Sequence, residues 1–295
     1  MRFLILASIV ISILSSCQSK ITGCMDPKAS NYDPFAERYG ECTYAPDVPV
    51  VPGDTTKPKN YGSVKFVFNA EANGKPFSLN ENFKDNKNRN FLFSIFKFYV
   101  SNVKFVVGSN KVLVKDVALL DYDTSTPASP GIPRFYSYFE SDSVEVGEFS
   151  DIYLGFGVDP ELNEEYRNTS YPTEHPLNTT YNKMGWGWAG KYIFTMVEGR
   201  LDTDSNTIYD ESIFWHTGLS ELYRFAVIPA NGVKVLKGQT TTVNLKLDVV
   251  KLFEGLDIGT FEGKTHTEEG APKVVASTFQ TNLSRAVSLQ GITYE

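Results

Sequence analysis

Cysteine and histidine are scarce, with 3 of each among 295 residues. That excludes multi-haem chains and zinc-ribbon arrays, which need many thiolate or imidazole ligands. Basic runs are missing as well. The chain carries 28 Lys and Arg against 35 Asp and Glu, a net charge of −7. It therefore lacks the clustered positive footprint that nucleic-acid binding requires. One long apolar run occurs, at residues 3–14, and it is too short to span a bilayer. No nucleophile elbow, paired-histidine zincin motif, phosphate loop or dinucleotide fingerprint is present. With no acid–base or nucleophile constellation to name, an enzyme is not expected. What the chain has in quantity is aromatic: 21 Phe and 16 Tyr. These side chains favour half-buried pleated surfaces, so the composition leans towards β structure.

The N-terminus reads as an address. Arg2 precedes the apolar run, small residues follow, and the run ends Leu14-Ser15-Ser16-Cys17. This is a secretory signal over residues 1–16, and its end resembles the lipobox of bacterial lipoproteins. Cys17 is then the acylated first residue of the mature protein, held to a membrane surface without a spanning helix. The expected location is the outer membrane of a Gram-negative envelope, on its periplasmic or surface face. Cys24 and Cys42 remain, and an even remainder in an oxidising compartment suggests one disulfide. The segment Cys24-Met25-Asp26-Pro27-Lys28-Ala29-Ser30-Asn31-Tyr32 resembles a short repeat of secreted Bacteroidetes proteins. Residues 45–60 hold four Pro and few large side chains, a semi-extended linker. The expected organisation is a signal over 1–16, a lipidated cysteine module and linker over 17–60, and one domain over 61–295.

That domain reads as all-β. Residues 63–69, 91–100, 103–107, 112–120, 149–156, 191–199, 222–228 and 241–250 are short, β-branched or aromatic, and bounded by Gly, Pro, Asn and Asp. Only two helical stretches suggest themselves, near 247–256 and over 277–286. Many short strands without alternating helices point to an antiparallel β-sandwich with long loops and one or two short helices.

Histidine and tryptophan share one zone. His175 opens His-Pro-Leu-Asn-Thr-Thr-Tyr-Asn-Lys-Met-Gly-Trp-Gly-Trp, which ends at Trp186 and Trp188. His216 sits in Ile-Phe-Trp-His-Thr-Gly and His266 in Gly-Lys-Thr-His-Thr. Neutral imidazole is the commonest metal ligand and suits copper, zinc, iron and nickel. Gathered on a β scaffold with no thiolate, these histidines would favour copper in a secreted protein. The glycines flanking Trp186 leave little side-chain crowding, so a metal or an oxidant is expected to approach its ring.

At these segments the chain resembles a family. Ile95-Phe96-Lys97-Phe98-Tyr99-Val100-Ser101-Asn102, Leu119-Leu120-Asp121, His175-Pro176-Leu177, Met184-Gly185-Trp186-Gly187-Trp188, Gly190-Lys191-Tyr192-Ile193-Phe194 with Glu198-Gly199, and Phe214-Trp215-His216-Thr217-Gly218 resemble, in order, the methanobactin-associated periplasmic copper-binding (MbnP-like) family. The resemblance covers roughly residues 61–290. It implies a β-sandwich that binds copper for acquisition or handling, with His175, His216 and His266 as ligand candidates. It also implies oxidation of a tryptophan to a ligating aromatic amine, Trp186 or Trp188 here, by a di-haem peroxidase-like partner.

A smaller constellation is Asp202, Asp204, Asn206 and Asp210, whose alternate oxygens partly match a calcium loop. Thr207 stands where such a loop needs Gly, and Ile213 where it needs Glu. A polar hairpin turn accounts for the same residues. The alternative to copper handling is a metal-free binding module for a peptide, glycan or partner protein, with residues 185–192 lining a groove.

Overall fold

The computed structural model describes residues 60–124, 133–186, 191–267 and 270–295, together with two short strands near the N-terminus. The chain divides into two compact units, residues 1–59 and 60–295. In the first unit, Thr22–Gly23 pairs in parallel with Arg38–Tyr39. Residues 1–17, Cys24, Cys42 and residues 45–59, the stretches expected to be a signal, a lipidated cysteine, a disulfide and a linker, lie outside the described residues, as does Trp188.

The second unit is a β-sandwich. Its main strands are β1 (Tyr61–Ala72), β2 (Asn90–Val107), β3 (Asn110–Asp121), β4 (Tyr138–Glu145), β5 (Gly147–Phe156), β6 (Lys191–Asp202), β7 (Glu211–Gly218), β8 (Arg224–Val235), β9 (Thr240–Asp248), β10 (Lys264–His266) and β11 (Val287–Tyr294). The larger sheet runs β8-β5-β2-β6-β7-β10, with β3 also paired to β2. The smaller sheet runs β11-β9-β1, with β4 on the other edge of β1. Most pairings are antiparallel. Two in this unit are parallel, β9 with β1 and β7 with β10.

Alternation decides which face each strand buries. In β1, Val64, Phe66 and Phe68 point inward; in β9, Val243, Leu245 and Leu247 do. Rings from the two sheets meet across the gap, Phe66 on Phe105 at 5.8 Å and Phe68 on Phe98 at 6.1 Å. Each fully buried Phe contributes roughly 1.5–3 kcal/mol of transfer free energy, so this ring-filled layer is the main source of stability.

Strand β2 runs unbroken through 18 residues, where the sequence suggested two strands. Asn102 adopts φ 52°, and the register to β3 and β5 shifts beside it. Asn tolerates the left-handed region, so the chain bulges there and continues. The C-terminal helix is also longer than expected. A single helix, α2 after the short α1 (Pro160–Glu165), spans Ala271–Ala286. Its Val275, Phe279 and Leu283, spaced by four, are buried in the main core. Near 247–256 the helical expectation becomes a 3-10 turn, Val249–Phe253.

The larger sheet is also buried on part of its outer face. Phe98, Leu120 and Val197 point into the main core, while their neighbours Tyr99, Leu119 and Met196 join a second cluster with Trp186, Tyr192 and Phe194. The segment 157–186 covers this face. Asn163 ties it down: its Oδ1 accepts from the Tyr192 amide at 3.0 Å and its Nδ2 donates to Ser220 Oγ at 3.1 Å. The Pro176 carbonyl accepts from both Tyr99 Oη at 2.7 Å and Asn182 Nδ2 at 2.7 Å.

Candidate metal centre

Two histidines meet on this outer face. Strand β7 lies between β6 and β10, and the parallel register sets His216 directly opposite His266. Their ring centroids are 4.8 Å apart, with planes at 77°. The pairing joins residues fifty apart in sequence. Trp215, one step earlier, points the opposite way and anchors the strand. It is fully buried, stacks between Phe253 at 5.3 Å and Phe279 at 5.1 Å, and donates from Nε1 to the Glu262 carbonyl at 2.9 Å. Period-two alternation then presents His216 to the outer face.

Trp186 forms one wall of the pair. Gly185–Trp186 adds a short strand against β6, Gly185 opposite Tyr192 and Trp186 opposite Lys191. The indole lies 6.2 Å from the His216 ring and 5.8 Å from the His266 ring. Phe214 forms a second wall, 5.8 Å from His216 and 4.9 Å from His266. Trp186 is 7% exposed, which corrects the open approach inferred from its flanking glycines. A Cβ at Gly185 would stand 2.7 Å from Tyr166 Oη and 2.9 Å from Thr179 Oγ1. That glycine admits close packing of the Tyr166 and Thr179 side chains against the backbone. Of the described residues of the 185–192 segment, Trp186 and Tyr192 are buried while Gly185 and Lys191 are part-exposed.

Glu198 completes the surroundings. Its Oε1 is 3.0 Å from His216 Nε2. Burial, and then the neighbouring His266, hold the His216 pKa below its ordinary value, against the pull of Glu198. The ring is therefore neutral at pH 7. With Nε2–H donating to the carboxylate, Nδ1 keeps the lone pair. Sequence reasoning did not single out Glu198, Phe214 or Met196 as neighbours of the pair. The alternation of Phe214 with His216 was the available signal for one of them.

His175 stands elsewhere. Its ring stacks on Tyr171 at 4.2 Å and 7°, and its Nδ1 accepts from the Leu177 amide at 3.1 Å. Burial lowers its pKa, so the neutral ring spends its lone pair on that bond and carries its proton on Nε2. Among the described residues no three His, Cys, Asp or Glu side chains gather as a metal centre. The three-histidine set expected from the sequence is thus a pair, His216 and His266, with His175 apart from it.

The acidic turn after β6 is filled by its own backbone. Asp202 accepts from the amides of Asn206 at 3.0 Å and Thr207 at 2.9 Å, and from Asn90 Nδ2 at 2.6 Å. Asp204 accepts from the Asn206 amide at 3.2 Å, and Asp210 from the Thr203 amide at 3.0 Å and its hydroxyl at 2.6 Å. Asn206 Oδ1 accepts from the Ile208 amide at 2.7 Å. The turn joins β6 to β7.

A β-sandwich with a histidine pair walled by indole and phenyl rings is the class defined by the fold and the site. A family model matches residues 61–270, and the chain belongs to that family, MbnP. Among solved structures, MbnP from Methylosinus trichosporium is similar at 13% identity, covering 79% of this chain and 99% of that one, with a TM-score of 0.47. Nothing among curated proteins matches the chain.

Proposed function

We propose that this protein binds copper as Cu(I) at His216 and His266, for acquisition or handling in the cell envelope. The observation that carries the reading is the face-sharing pair itself, two imidazoles brought to 4.8 Å. The donor set fits the ion. Imidazole suits copper, and Cu(I) tolerates the low coordination numbers two rings supply. His216 is held neutral by burial and oriented by Glu198, so no proton must leave before it ligates. Phe214 and Trp186 limit water on two sides. Family membership supports the same reading, since the MbnP family is linked to copper handling.

Further parts belong to this proposal. Acylated Cys17 holds the protein at the outer membrane, on its periplasmic or surface face, and the Cys24–Cys42 bridge with the Pro-rich linker spaces the sandwich from the lipid. Trp186, beside the pair, is the tryptophan that a di-haem peroxidase-like partner would oxidise across the indole C2–C3 bond with two equivalents of hydrogen peroxide; hydrolysis then releases C2 as formate and leaves an aromatic amine, which ligates where an indole does not. The protein carries metal and catalyses no reaction of its own. The acidic turn is structural, its carboxylates engaged by amides.

The test is Cu(I) competition titration of the protein from Gln18 onward, beside His216→Ala/His266→Ala and His175→Ala. The double variant is expected to lose binding while His175→Ala keeps it. Equal affinity in all three would overturn the assignment.

A further inference from the structure

The row that sets His216 opposite His266 continues one strand further. In the β6–β7 ladder, Met196 is the direct partner of His216. Met196, His216 and His266 therefore form one cross-strand row on the outer face of three adjacent strands. Directly opposed residues hold their Cβ atoms about 4.5–5.5 Å apart, within reach of a thioether sulfur carried on two methylene groups. Met196 also belongs to the buried outer-face cluster that contains Trp186, the wall of the histidine pair, and is 9% exposed. No cysteine occurs after Cys42, so the sandwich has no thiolate to offer. Its only two methionines, Met184 and Met196, both lie in this cluster. Met196 alone stands in the row with the histidines.

Ligand softness gives that placement a consequence. A thioether is a soft donor that selects Cu(I), while two imidazoles alone also accommodate Zn(II) and Cu(II). We infer that Met196 joins His216 and His266 as a ligand of that centre, beside the amine that Trp186 would supply, and that its sulfur makes the site selective for the reduced ion. This inference rests on the copper reading above and adds to it the residue that sets oxidation-state preference.

The experiment compares wild type, Met196→Leu, Met184→Leu and His216→Ala/His266→Ala, all from Gln18 onward, titrated separately with Cu(I) and Zn(II). Exchange of Met for Leu conserves volume and costs less than about 1.5 kcal/mol of stability, and thermal unfolding checks that each variant folds. Met196→Leu is expected to weaken Cu(I) binding at least about tenfold, the scale of lost support at metal sites, and to leave Zn(II) affinity unchanged. Met184→Leu should leave both unchanged. Copper X-ray absorption of selenomethionine-labelled protein should show a copper–selenium shell that Met196→Leu removes. If Cu(I) binding needs the histidines but is unaffected by Met196→Leu, and no selenium shell appears, this inference fails and the copper reading stands. If the double histidine variant binds Cu(I) as wild type does, or full-length wild type purified from its own host binds none, the copper reading fails and takes this inference with it.

Discussion

Single residues set the geometry of the histidine pair, and Gly218 is the most sharply constrained of them. A Cβ there would stand 2.6 Å from Trp186 Nε1 and 2.6 Å from the Tyr192 carbonyl oxygen. Carbon cannot occupy that space, and the carbonyl belongs to backbone that cannot swing away. Gly218→Ala must therefore push the indole or the strand that carries it. The expected outcome is a lower Tm and altered Trp fluorescence, together with weaker Cu(I) binding; an unchanged spectrum and Tm would mean the wall is not packed as described. His216 itself was legible in the sequence, because an imidazole at a strand end beside glycine stands out. Its partner was less so. His266 became a neighbour only through the parallel pairing of β7 with β10, and parallel pairing leaves no local turn signature to read. His175 shows the opposite limit. Its position just ahead of the Met-Gly-Trp stretch drew it into the ligand set, but sequence proximity to a tryptophan does not specify where a ring points. A hydrogen bond to the amide two residues on decided that.

Elements hold the site in place by anchoring the strands from behind. Helix α2 packs Phe279 flat on Trp215 at 5.1 Å and 16°, fixing β7 from the inner face while its outer face carries His216. Phe279→Ala removes a fully buried ring and is expected to cost about 3–5 kcal/mol in chemical denaturation. A loss under about 1 kcal/mol would show that the helix is peripheral. The length of α2 was only partly legible. Val274, Val275, Thr278 and Thr281 are β-branched and weaken local helical preference, whereas the spacing of Val275, Phe279 and Leu283 is the tertiary signal that prevails. The strands were more readable, because alternation in β1 and β9 is a direct image of burial. A second anchor ties the loop before β2 to the loop before β10. Asp257 bonds Lys87 Nζ at 2.6 Å and Arg89 Nη2 at 2.7 Å, and Arg89 also pairs with Asp85 at 2.7 Å. Hydrogen bonds from Lys87, then Arg89 and the Gly259 amide, hold the Asp257 pKa down at about 2, against the burial that raises it. The unfolded value is near ~3.9. A carboxylate with a depressed folded pKa stabilises above its unfolded pKa and loses that contribution as pH falls through the folded one. Asp257→Asn should thus be less stable than wild type at pH 5, with the gap closing as pH is taken towards 2. A gap that stays constant with pH would refute the ionic role.

At the scale of the whole molecule, the sandwich closes its core and its candidate centre within residues 60–295. A chain beginning at Asn60 is accordingly expected to keep the Tm and Cu(I) affinity of the longer protein, measured side by side, and to lose only membrane association. A fall in Cu(I) affinity on truncation would mean that the first unit contributes ligands. The all-β class and the sandwich were legible from aromatic content and strand spacing. The two-faced burial of the larger sheet was not. Its outer cluster depends on the segment 157–186 folding back through Asn163, Pro176 and Asn182, contacts made by loop residues with no periodicity. That covered face separates a histidine pair shielded by rings from one exposed to water, and it is where the copper assignment is most open to direct observation. Crystals of Cu(I)-loaded protein, measured at the copper absorption edge, provide that observation. One anomalous peak between His216 and His266, beside Trp186 and within bonding reach of Met196, is the predicted result. A peak at His175, at the Asp202–Asp210 turn, or nowhere in the sandwich would contradict it.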